Sequence, residues 1–274
     1  MTRAYTAAFV VLLVVGGGLL YWRHHRAVPV AVLTPPPPVL APPQPPAPAP
    51  PPAPAIRHPL PSSSAGGLPS VDGSDAYLEN ALADLLGHKK VREFLHLDGV
   101  IRRFVATVNN LATDDASASL WPVKTTPGRF ETEPGGGGTV IAPRNFERYA
   151  PFVGFAAEID ARRAVALYVR VYPLLQQAYE DLGYPGKYLN DRVVEMLDNL
   201  LATPALAVPP VVKRFAADGG PPGGGLYVYD DPALESRSAG QKILLRMGPK
   251  NAAVLGAKLR EIRAQLVARP PAER

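Results

Sequence analysis

No cysteine occurs in the 274 residues, which removes disulfides, thiolate metal sites and a cysteine nucleophile together. Acidic side chains are missing from residues 1–70, where Arg3, Arg23, Arg26 and Arg57 are the basic groups. The formal net charge of +5 therefore belongs mostly to that stretch, because residues 71–274 hold 25 basic and 24 acidic groups. A body so balanced has no concentrated positive field to displace counterions, so nucleic acid is excluded as a partner. Histidine is scarce as well: after residue 70 only His88 and His96 remain. There is no H-E-x-x-H, and the run Gly135–Gly138 lacks the Gly-Lys-Ser/Thr ending of a phosphate cradle. The string Ser236-Arg237-Ser238-Ala239-Gly240 lacks the first glycine of a nucleophile elbow. We therefore expect no catalytic set, no cofactor site and no metal site.

What the chain does have is proline. Between Val28 and Ser70 lie 17 of its 33 prolines. Proline fixes φ and donates no backbone hydrogen bond, so this stretch reads as a solvated, semi-stiff spacer of polyproline II character. On its amino side, Ala4 to Trp22 is a run of 19 uncharged residues. As a helix it would extend ~28 Å, near the thickness of a bilayer's hydrocarbon core. Tyr5, Phe9, Leu13, Leu20, Tyr21 and Trp22 are its expected anchor residues, the tyrosines and tryptophan at headgroup level. The bulky Tyr21-Trp22 pair followed by Arg23 argues for a retained span rather than a cleaved signal. The expected organisation is an anchor over 1–27, a disordered Pro/Ala-rich linker over 28–70, and a domain over 71–274. The bilayer is then a partner through residues 4–22, with the amino terminus inside and the domain in the periplasm of a bacterial inner-membrane, single-pass protein.

The domain reads as mainly α. Ser74 and Asp75 open a helix that Gly87 ends, and a short helix follows around Val91–Leu95. Ile101, Phe104, Val105, Val108 and Leu111 recur at helical spacing, with the pair Arg102-Arg103 on the ion-paired or solvated face. The longest pattern runs from Ala161 to Leu182, and Pro173 inside it predicts a kink or a split. Further helices are expected over Asn190–Ala202, Ser238–Met247 and Pro249–Ala268, the last with proline at its first position. Two short hairpins complete the fold class. One pairs Phe130–Glu133 with Thr139–Ile141 across a loose glycine loop, and one pairs Val211-Val212 with Tyr227–Tyr229.

Those helices carry a resemblance. Leu68-Pro69 with Ser74-Asp75, the string Arg102 to Leu111, and Tyr172-Pro173-Leu174-Leu175-Gln176 through Tyr179 to Gly183-Tyr184-Pro185 belong to it. So do Leu200 to Pro204, Ser238 to Lys242, Leu244 to Pro249, and Asn251. In combination the stretch from about Leu68 to Ala268 resembles the DUF3014 family. The resemblance implies an amino-terminal span, a low-complexity spacer and a domain in a Gram-negative setting. It implies no activity, ligand or catalytic residue.

Asp181, Tyr184, Lys187 and Tyr188, around the Pro185-Gly186 turn, are the candidate partner surface, since rigid aromatic rings bury area at low entropic cost. The stripe Asp191, Glu195, Asp198 reads first as the solvated face of a helix. The expected function is a non-enzymatic envelope protein whose periplasmic domain binds a protein or cell-wall component. The alternative is a carboxylate-dependent envelope hydrolase or glycan-processing enzyme using acids near Asp181 or Asp191, which requires two carboxylates converging in a pocket.

Overall fold

The structure, a computed structural model, describes residues 55–61, 66–215 and 226–268, all within one compact unit from Pro52 onward. Ser74 and Gly87 bound the first helix, α1 (Asp75–Leu86). The Ser74 hydroxyl does not cap it; fully buried, it donates to the Val71 carbonyl at 2.7 Å. Asp75 instead reaches across, its carboxylate accepting the backbone N–H groups of Gly99 (2.9 Å) and Val100 (3.4 Å) at the start of α3 (Val100–Leu111). Between them lies α2 (His88–Phe94). Arg102 pairs with Asp72 and Asp181, and Arg103 with Asp98, so the arginine pair is the ion-paired face expected of α3.

Strands β1 (Thr132–Gly135) and β2 (Gly138–Ile141) pair antiparallel, with Gly135 opposite Gly138. The loop is not loose. Gly136 and Gly137 have φ of 57° and 80°, the two positive values that a tight two-residue hairpin turn demands. Two helices absent from the sequence reading follow, α4 (Pro143–Glu147) and α5 (Ala150–Ala157), each with proline in its first turn. They are one or two turns long, too short for a repeating pattern to register.

Helix α6 (Ala161–Asp181) runs 21 residues as one element through Pro173, so the proline does not split it. It packs beside α7 (Leu189–Leu201) and the 19-residue α10 (Pro249–Val267), while α3 lies across α6 and α7. Strands β3 (Val212–Phe215) and β4 (Leu226–Tyr229) form the second antiparallel ribbon, followed by α8 (Pro232–Glu235) and α9 (Ala239–Arg246). Val140 bridges to Val211 and joins the two ribbons.

The main core gathers Ile101, Val105 and Val108 of α3, Leu174 and Leu175 of α6, and Val193, Val194 and Leu197 of α7, all buried. Each such side chain contributes on the order of 1.5–3 kcal/mol when fully buried. A smaller core of Ile141, Val212, Tyr229 and Leu245 ties the ribbons to α9. Gly240 lets α9 approach: a Cβ there would lie 2.4 Å from Leu200 Cδ2 and 2.9 Å from the Leu111 carbonyl oxygen.

The expected fold class is corrected in one respect. The domain is mainly helical with two small antiparallel sheets, but the single transmembrane helix is not found: among the described residues no helix is long and apolar enough to cross a membrane. The two longest helices, α6 and α10, carry charged residues such as Arg162, Arg170, Lys258 and Arg263 along their length. The expected span over 4–22, with Tyr5, Phe9, Leu13, Leu20, Tyr21 and Trp22, lies outside the described residues, as does the spacer up to residue 54.

Burial raises the hydroxyl pKa of Tyr168, Tyr172, Tyr179 and Tyr229 above the ordinary tyrosine value of 10.0. The fold therefore favours the neutral phenols. That stability is fully present below the unfolded value and is lost as pH rises through the folded ones. The thermal midpoint is expected to fall steeply above about pH 10, with tyrosinate absorbance rising at the unfolding transition. Titration of all eleven tyrosines at the free-tyrosine position, with no loss of helical circular dichroism, would contradict this.

Candidate functional site

Two of the six buried polar side chains among the described residues, Asn190 and Asp191, sit at the amino end of α7. A helix start leaves N–H donors without intrahelical partners, and Tyr188 at the N-cap supplies no side-chain bond. Helix α6 supplies two instead. Gln176 Oε1 accepts from Leu189 N (2.9 Å), and the Tyr172 hydroxyl accepts from Asn190 N (3.3 Å) while donating to Gln176 Oε1 (3.0 Å). The Gln176 amide then donates to the Lys187 carbonyl (2.7 Å) and to Glu180 Oε1 (2.8 Å), fixing the Gly183–Tyr188 turn against α6.

Onto this end docks a strap, residues 55–61, from the carboxyl side of the proline-rich stretch. The Asp191 carboxylate accepts Arg57 N–H (3.1 Å) and His58 N–H (2.8 Å). Asn190 donates its amide to the His58 carbonyl (2.7 Å) and accepts the Tyr168 hydroxyl (3.2 Å). Asn190 is 1 % exposed and Asp191 9 %, so two buried polar side chains grip three main-chain groups of a segment more than 130 residues away. The sequence reading missed this clamp. Asp191 belongs to the stripe expected to be solvated, and the structure corrects that: it is buried, and its charge is met by two backbone donors and by the Arg57 guanidinium 4.0 Å away.

Beside the strap opens a cleft of about 620 Å³. Of the four expected surface residues it brings together Tyr184, Lys187 and Tyr188, joined by Tyr179, Asp191 and Arg192. Tyr184 stacks on Tyr179 with ring centroids 4.7 Å apart and planes 10° from parallel, and the Lys187 ammonium sits 5.4 Å from the Tyr184 ring centre. Asp181 does not join them. It is exposed and faces Arg102, 3.6 Å away on α3. Arg192 donates to the Asn109 carbonyl (2.6 Å) and pairs with Glu195 (3.3 Å), while its buried Nε has no partner among the described residues.

The carboxylates near the cleft are occupied. Asp191 holds the strap, Glu195 pairs with Arg192, and Asp198 pairs with Arg263 of α10. That last hydrogen bond and charge hold the Asp198 carboxyl below its ordinary value, the direction opposite to that of a general acid. No cluster of three or more metal-ligating side chains occurs among the described residues. The arrangement presents stacked aromatic area and a cation on the wall of the cleft.

No curated protein and no solved structure matches the chain. Residues 100–263, from the first residue of α3 to within four residues of the end of α10, match a family described as "Protein of unknown function (DUF3014)". That stretch contains both side chains of the clamp, the stacked tyrosines and most of the main core, with Val71, Leu78 and Leu266 lying outside it, and the chain belongs to the DUF3014 family.

Proposed function

We propose that this domain is a non-enzymatic binding module of a bacterial envelope protein, holding a protein or cell-wall partner in the cleft at the amino end of α7. One observation carries the reading. Tyr184 is locked flat against Tyr179 under Lys187, on the wall of a cleft whose acids are already engaged. Aromatic surface held rigid before binding loses little entropy when a partner covers it. The inner-membrane, periplasmic placement belongs to the same proposal, and it is supported by the sequence order of uncharged run, proline-rich stretch and domain.

A photo-crosslinking amino acid placed at Tyr188 of the full chain, in living cells, tests it. The expected result is a discrete adduct with an envelope protein or a cell-wall fragment, absent when the same group replaces the exposed Glu147 on α4. Equal labelling from both positions, or none from Tyr188, would reject the cleft as the working surface.

A further inference from the structure

A second cavity, lined by other residues, has the opposite character. It occupies about 480 Å³ between the segment Trp121–Thr126, helix α5, and the faces of α9 and α10. Phe152, Ala156, Ile243, Leu259 and Ile262 give it an apolar wall. A second apolar hollow of about 320 Å³ adjoins it, sharing Val123, Phe152, Ala156 and Ile159. No acidic side chain lines either space, while Lys124, Arg148, Arg246 and Lys258 all line the first.

The charges of those cations decide the ligand class. Lys258 is neutralised by Glu261. The other three have no carboxylate partner among the described residues. Arg148 donates to the carbonyls of Thr126, Pro127 and Gly128 and to Asn145 Oδ1. Arg246 donates to the Tyr227 carbonyl (2.9 Å) and lies 5.7 Å from the Tyr229 ring centre. Lys124 donates to the Arg92 carbonyl. Hydrogen bonds to carbonyls orient these groups without cancelling their positive charge; the half-buried Arg148 and Arg246 are screened less by water than the exposed Lys124.

We propose that this cavity binds a free single-chain anionic amphiphile, an acyl tail lying along the apolar wall through the shared Phe152–Ala156 boundary with its carboxylate or phosphate head among Lys124, Arg148 and Arg246. The volume falls in the range of small-ligand sites. A sugar or nucleotide would leave its polar groups unpaired against the apolar wall, and a cationic peptide would be repelled. The proposal is independent of the cleft at α7, which lies on other residues.

Calorimetric titration of the purified full chain with dodecanoate and with dodecyl phosphate, each below its micelle-forming concentration, tests it; dodecanol and vesicles of an anionic phospholipid are the comparison arms. At least one of the two anions is expected to bind saturably, one per chain, and at least tenfold more tightly than dodecanol. Ala156→Phe, which fills the shared boundary, should weaken binding tenfold or more, with Ala156→Leu as the milder substitute if the first fails to fold. Lys124→Gln, at an exposed position, should weaken the anion about threefold and leave dodecanol unchanged. Tyr188→Ala, in the other cleft, should change nothing. The proposal is overturned by absence of saturable binding, by equal affinity for dodecanol, by indifference to both Ala156 variants, or by binding confined to the vesicles.

Discussion

Replacing Gly248 by alanine is expected to destabilise the domain by about 2–5 kcal/mol, a large part of the ~5–15 kcal/mol that a domain of this kind commands. Two effects combine. Gly248 sits at φ 83°, ψ 161°, a region essentially reserved for glycine, and forcing another residue there costs about 1–3 kcal/mol. A Cβ would also lie 2.5 Å from Phe146 Cγ and within 2.9 Å of both its Cδ atoms, an overpacking cost of ~1–3 kcal/mol. The α4 backbone cannot simply shift away, because Asn251 of α10 donates to the Phe146 carbonyl (2.8 Å), so relief would have to come from the ring leaving its rotamer. Urea unfolding measures the loss. The two parts separate in a Phe146→Leu background, where the steric part should shrink and the backbone part remain. If Gly248→Ala is neutral in both backgrounds, the account of the α9–α10 junction is wrong.

Asp191→Ala should free the strap without unfolding the body. The carboxylate accepts two main-chain N–H groups, and hydrogen bonds to a charged group are worth about 1.5–3 kcal/mol each. Part of that returns when the released donors meet water, so a rise of ~10–100-fold in the open population of the strap is the expected size. Arg57 offers its own readout, since trypsin cleaving after it requires the local chain to leave Asp191. Cleavage at Arg57 should accelerate by that factor, and amide exchange at Arg57 and His58 should lose protection to match, while the exchange of the α3 and α6 cores stays put. Asn190→Ala should act in the same direction and also leave the Tyr168 hydroxyl without its acceptor, so it should lower global stability as well. An unchanged cleavage rate in Asp191→Ala would mean that the strap is held by packing of Leu60 on the main core rather than by the clamp. Because Ala55 and Arg57 also line the tyrosine cleft, a partner bound there and the strap share one wall, and releasing the strap reshapes the cleft.

Most helices were legible because their evidence is local. The three- and four-residue spacing of Ile101, Val105 and Val108 places α3, and Gly87, Gly248 and Pro249 place their ends where the structure has them. The α4 and α5 helices escaped because they are too short for a period to repeat. Gly136-Gly137 was read as slack, though two adjacent positive φ values make it a tight turn. Pro173 suggested a kink or a split; α6 is not split, and the buried Val171, Leu174 and Leu175 flanking the proline hold it in the core.

The candidate surface was half legible for the same reason. Tyr184, Lys187 and Tyr188 are neighbours along one turn, so sequence proximity guaranteed their spatial proximity. Asp181, a few residues earlier, still belongs to helix α6, whose geometry turns it toward Arg102. Composition and periodicity alone determined that this chain has a helix-rich, charge-balanced body without cysteine after a proline-rich stretch, because those properties follow from residue type and short-range spacing. Only the tertiary structure decided that Asp191 is buried under Arg57 and His58, and that three cations without carboxylate partners among the described residues line an apolar cavity. Those contacts join residues tens to more than a hundred positions apart, and it is packing in three dimensions, not the order of residues along the chain, that chooses a charged group's partners.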